Sequence, residues 1–273
     1  MAKATVLNVR AASVVAAAIV GIATAASAGA QSAGDLPRMA DGRPDLSGTW
    51  DNGGGIAFVR PVADGDSICV SGCGPAPAPR ANAGPPPAPD RPKYRPEFQA
   101  RVAQLDANQV REDPVLRCFA PGVPRIGPPD KIVQTRDELV FLYDDVAGNF
   151  FRIVPTDGRA HRDDVEPSFL GDAVGRWEGD TLVVETVNFN AETWLVDDGS
   201  FHTRDLRVVE RITRDGGTLT WQATAYDPDV LAEPWAMRPR TATLTSDELV
   251  EAPPCIERDL DHMLDDSHHA NPR

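Results

Sequence analysis

From Lys131 onward, apolar residues recur at every second position, in short runs broken by Gly and Asp. This period constrains the chain most. Successive side chains on a strand point to opposite faces, so a period of two reads as a half-buried strand and not as a helix. The runs fall at 131–135, 139–144, 150–155, 181–188, 206–213, 218–225 and 241–244. Turn signals lie between most of them: Asp157-Gly158, Glu178-Gly179-Asp180, Asp215-Gly216-Gly217 and Asp227-Pro228. There is no alternation of strand and helix patterns and no internal repeat. Evenly spaced short strands with Gly/Asp turns predict a mainly β domain, either an antiparallel barrel or a sandwich.

The first thirty residues have a different character. Lys3 and Arg10 precede an apolar run, AASVVAAAIVGIATA, followed by Ala28-Gly29-Ala30. A positive start, a short apolar stretch and small residues at a cut site predict a signal peptide over 1–30. The run is short and rich in Ala and Gly for a membrane span, so no stable membrane anchor is expected. The expected product is exported, to the periplasm or beyond. The 273-residue chain carries a formal charge of −14. Such an acidic surface repels phosphate backbones, so nucleic acid is excluded as a partner and a small molecule is favoured.

In an oxidising compartment the four cysteines are expected to pair as Cys69–Cys73 and Cys118–Cys255. No pair of C-x-x-C knuckles suggests zinc. Residues 31–45 read as a flexible leader, 46–258 as one barrel domain and 259–273 as a flexible tail. Within the domain, 74–96 is dense in Pro and Ala, which excludes helix and central strand and predicts an extended surface insertion. Phe98, Val102 and Leu105 recur at helical spacing, predicting one short helix over 97–109. Gly48-Thr49-Trp50 matches the G-x-W that opens the first strand of small lipocalin-type barrels, where the Trp closes the floor. The match favours a lipocalin-like (calycin-type) barrel over a sandwich.

Candidate chemistry follows from the alternation. Leu206, Val208, Glu210 and Ile212 share an apolar face, with a carboxylate in its middle. A buried carboxylate must be paired, hydrogen-bonded or neutralised. It is therefore either part of a ligand site or half of a structural ion pair with an arginine such as Arg152 or Arg211. Leu219, Trp221, Ala223 and Ala225 share a face that runs to Asp227. Glu185 falls on a strand whose two faces are comparably apolar. His161 and His202 fall near turns, where an imidazole beside a carboxylate can carry a proton. Arg152 and Arg159 are suited to a bidentate grip on a substrate carboxylate. Trp194, in a polar loop, is a candidate stacking wall, whereas Trp177 is expected in the core. Tyr143 and Asp227 complete the candidate binding set. There is no G-x-S-x-G, H-E-x-x-H, P-loop or dinucleotide fingerprint. What remains is cofactor-free chemistry or plain binding, with no metal.

Several stretches together resemble a widespread family of secreted bacterial proteins of unassigned activity. They are Gly42-Arg43-Pro44-Asp45-Leu46-Ser47-Gly48-Thr49-Trp50, Asp157-Gly158-Arg159-Ala160-His161, and Gly175-Arg176-Trp177-Glu178-Gly179-Asp180-Thr181-Leu182-Val183-Val184-Glu185-Thr186. The resemblance runs from about residue 42 to 258 and implies that Arg159, His161, His202 and Glu210 belong to a shared motif. The insertion bearing Cys69 and Cys73 departs from it. The leading expectation is an exported lyase or decarboxylase acting on an apolar or aromatic organic acid. In it, His161 and His202 move protons and Glu210 orients an imidazole or acts as base. The alternatives are a non-catalytic carrier and an envelope interaction module.

Overall fold

Strands form where the period of two predicts them. The computed structural model describes residues 36–53, 62–64, 67–69, 90–145, 147–252 and 255. In chain order the elements are β1 (Gly48–Asp51), β2 (Val62–Asp64), β3 (Ser67–Cys69), α1 (Pro96–Ala107), α2 (Gln109–Glu112) and a 3-10 turn (Val115–Arg117). Then come β4 (Lys131–Gln134), β5 (Glu138–Asp145), β6 (Gly148–Pro155), β7 (Asp172–Glu178), β8 (Thr181–Val187) and β9 (Arg207–Asp215). β10 (Thr218–Tyr226), β11 (Trp235–Ala236) and β12 (Arg240–Thr245) complete the set. Gly179 and Gly216 turn the β7–β8 and β9–β10 hairpins at φ of 61° and 55°, a region that costs glycine nothing.

β2 and β3 form a separate hairpin, and the other ten strands make one sheet. Its order is β6-β5-β4-β1-β12-β10-β9-β8-β7, with β11 also paired to β10. The sheet is a meander curled into a nearly closed antiparallel barrel. Every registered pairing along this path is antiparallel. Nine strands joined by eight reversals leave the first and the last pointing the same way. β6 and β7 are therefore parallel where the barrel closes, and no ladder joins them among the described residues. Parallel neighbours need a connection that returns along the barrel. Residues 156–171 provide it.

The seam is tight at one end. A Cβ added to Gly175 would lie 2.9 Å from both Val154 Cγ1 and Thr156 Cγ2, so β7 approaches β6 only because residue 175 has no side chain. The barrel interior is filled. Trp50, Phe141, Tyr143, Leu182, Val184, Ile212, Leu219 and Trp221 are all buried within it. Trp50 is fully buried: its Nε1 donates to Leu46 O at 3.0 Å, and the Arg214 guanidinium lies 5.1 Å over its ring. Arg214 also donates to Asp45 O at 2.6 Å and to Gly216 O at 2.8 Å, tying the segment before β1 to the β9–β10 turn.

The face assignments of β9 and β10 hold. Leu206, Val208, Glu210 and Ile212 are buried, as are Leu219, Trp221, Ala223 and Ala225. The ambiguity at β8 is settled by Leu182, Val184 and Thr186 pointing inward, which puts Glu185 outside. β7 was not expected, because Gly175, Arg176 and Glu178 interrupt its apolar pattern. Residues 36–45, expected as flexible leader, instead turn against the barrel: Arg38 bonds Asp180 at 2.8 Å and Arg43 lies 6.0 Å over the Trp177 ring. The expected helix runs from Pro96 to Ala107, with α2 following it. Cys118 and Cys255 are joined as a disulfide. The signal peptide, most of the Pro-rich insertion, Cys73 and the tail lie outside the described residues. No described helix is long and apolar enough to cross a membrane.

Candidate functional site

The inward carboxylate is half of an ion pair. Arg152, on β6, points into the barrel opposite Glu210 on β9. Its Nη2 donates to Glu210 Oε2 at 2.6 Å and its Nη1 to Glu210 Oε1 at 3.1 Å. Trp221 Nε1 donates to Oε1 at 2.9 Å, and Arg152 also donates to Tyr143 OH at 3.1 Å and Thr186 Oγ1 at 2.7 Å. Glu210 is 0 % exposed. Burial works against the Arg152 charge, but Glu210 and Tyr143 outweigh it and raise its pKa. Burial likewise pushes the Tyr143 phenol up. The expected substrate grip of Arg152 is thus occupied by the protein's own carboxylate, and Tyr143 serves the same internal network.

The two histidines have separate partners. His202 is buried, with Nδ1 2.8 Å from Thr203 O and Nε2 2.7 Å from Thr193 Oγ1. A carbonyl only accepts, so Nδ1 carries the proton and Nε2 accepts from Thr193. Burial lowers the His202 pKa and keeps the ring neutral. His161 sits on the crossover, with Nδ1 2.9 Å from Asp172 Oδ2. Its Nε2 lies 3.5 Å from Glu185 Oε1, is covered, and makes no hydrogen bond. Neither imidazole bonds to Glu210, so the structure does not gather the expected proton-transfer trio through direct contacts. Trp194 is 4 % exposed beneath the Arg125 guanidinium, packed into the core instead of standing as an open wall. Asp227 is buried and accepts from Thr203 N at 2.6 Å and Thr203 Oγ1 at 3.1 Å.

The open space lies outside the filled interior, at the seam. A cleft of about 740 Å³ runs between β6 and the crossover into β7. Outward positions of β6 supply Phe151, which is 64 % exposed, and Ile153. The crossover supplies Phe169 and Leu170. Phe119 stacks on Phe169 at 5.3 Å and 21°. Arg159 and Arg162 stand at the rim, each held by a carboxylate: Arg159 by Asp157 at 2.6 Å and Arg162 by Asp172 at 2.6 Å. Although burial opposes it, the bonds from His161 and Arg162 hold the Asp172 carboxyl below the usual range. The chain after β12 passes close by. Ala252 N donates to Asn149 Oδ1 at 2.6 Å, and Cys255 bonds Cys118 at the cleft wall.

Of the expected site residues, Arg152, Arg159 and Cys118 line the cleft directly, and His161 joins it through Asp172. Sequence reasoning missed Phe119, Phe151, Phe169, Arg162 and Asp172. The exposed parity of 150–155 was the available signal, since Phe151 and Ile153 are apolar on the face opposite Arg152. A further buried carboxylate, Asp130, accepts from Asn52 Nδ2 and Asp144 N, both at 2.8 Å, and burial pushes it up to about 7. Among the described residues no three His, Cys, Asp or Glu side chains are grouped to hold a metal ion. Comparison with family models, curated proteins and solved structures gives no match.

Proposed function

We propose that this is an exported binding protein that holds a small apolar or aromatic molecule in the seam cleft. One observation carries the reading: the barrel interior is filled and internally bonded, while an open cleft with aromatic walls lies outside it. Its volume falls within the range of about 300–1,000 Å³ usual for small-molecule sites. Phe119, Phe151, Ile153 and Phe169 would contact the apolar body of the ligand. Arg159 and Arg162 would face its polar end. The lyase expected from His161 and His202 needs an imidazole open to its substrate. His161 Nε2 is covered and His202 is bonded on both nitrogens, so the geometry favours binding over turnover.

The Cys118–Cys255 disulfide supports an oxidising compartment. Of the motifs that resemble the secreted family, Asp157-Gly158-Arg159-Ala160-His161 contributes Arg159 and Ala160 to the cleft lining, and Gly175 lies against Val154 and Thr156 at the seam. The test is a fluorescence titration with N-phenyl-1-naphthylamine, a neutral aromatic dye, on the wild type and on F151D and I153D. Both substituted residues are exposed, so folding is expected to survive. The wild type should show saturable binding, weakened about tenfold or more in each variant. Dye affinity indifferent to both substitutions would overturn the assignment.

A further inference from the structure

A second cleft, of about 660 Å³, lies where β8 ends, β9 begins and β10 runs into the loop after Tyr226. Its apolar lining is Leu206, Leu231, Pro228 and Pro234, and three arginines share it: Arg95, Arg204 and Arg207. In a chain of net charge −14, three arginines lining one cleft stand out. Arg207 is already committed: it lies 4.1 Å over the Tyr226 ring and donates to Glu185 Oε2 at 3.0 Å. Among the described residues the Arg95 side chain makes one long contact, from Nε to Leu231 O at 3.5 Å. Arg204 has no hydrogen-bond or ion-pair partner among the described residues.

Two of the three acids of the cleft are occupied elsewhere. Asp227 is buried and takes its bonds from Thr203. Glu233 pairs with Lys93 at 2.7 Å. Asp205 is exposed, and the neighbouring Asp229 carboxylate raises its pKa. The cleft therefore offers two uncommitted guanidiniums, those of Arg95 and Arg204, beside an apolar lining. A guanidinium presents a planar fork of donors that matches a carboxylate, and the lining suits an apolar body. We propose that this cleft is a binding site for a small organic carboxylate, held at its charged end by Arg95 and Arg204. This site is distinct from the seam cleft and does not depend on it.

The test follows benzoate and its neutral isostere benzamide by calorimetric titration and by amide chemical shifts. Benzoate should bind saturably with perturbation of residues around Arg204 and Tyr226, while benzamide should perturb them at least about tenfold more weakly. R95Q and R204Q, both at exposed positions, should each weaken benzoate about tenfold. I153D should leave benzoate affinity unchanged. The proposal is overturned if the wild type shows no saturable benzoate binding or if benzamide binds equally well. It is equally overturned if the R95Q/R204Q double variant retains wild-type affinity, or if I153D abolishes binding and so moves benzoate to the seam.

Discussion

At position 210 a carboxylate sits inside a barrel packed with Trp, Phe and Leu, and its tolerance there depends on Arg152, with Trp221 as a further donor. Desolvating two charges costs several kcal/mol per ion, and bidentate geometry with added donors offsets it. Removing one partner strands the other. Glu210→Ala should therefore lose about 3–5 kcal/mol of stability in urea unfolding. The Arg152→Met/Glu210→Leu pair should lose clearly less than Glu210→Ala alone, because neither charge is then left buried. A double variant as unstable as the single would show that the pair does not act as a unit. The inward direction of Glu210 was legible in the alternation of 206–212. Its partner was narrowed to an arginine such as Arg152 or Arg211 but not decided, because Arg152 lies 58 residues away and a single sequence does not say which strands face each other. His202 has the same lesson. A turn position suggested a rim, but the ring is buried between two threonines.

Elements with a clean period of two were legible nearly to the residue, as β5, β8 and β10 show. β7 was not, because its middle is Gly175 and its outward positions carry Arg176 and Glu178. Those residues are there for reasons that lie on other elements: Gly175 admits β6, while Arg176 and Arg211 both bond Glu178, at 2.8 and 2.9 Å. Gly175→Val should force β6 and β7 apart against Val154 and Thr156 and lower stability by about 1–3 kcal/mol. Urea unfolding checks this, and dye titration of the same variant reports whether the cleft has widened with it. A neutral outcome would mean that the seam is looser than the 2.9 Å approach indicates.

For the molecule as a whole, the stretch after β12 is fastened by the Cys118–Cys255 disulfide, which closes a separation of 137 residues. Cross-linking so long a loop mainly restricts the unfolded chain. Its reduction should lower stability by about 2–5 kcal/mol, measured by thermal unfolding with and without reductant. An unchanged transition would assign the bond no structural role. That pairing was expected from an even cysteine count and from the closeness of Cys69 to Cys73 in sequence, which leaves Cys118 and Cys255 for each other. The cleft was not, because it belongs to a junction between strands and not to any run of residues. Strand directions around the barrel behave like two colours around a ring: an even ring can alternate throughout, and an odd one must repeat a colour somewhere. Point substitutions can reshape the mismatched joint between β6 and β7, but they cannot remove it. Only the gain or loss of a whole strand would, so the pocket at that joint is protected against sequence drift by arithmetic.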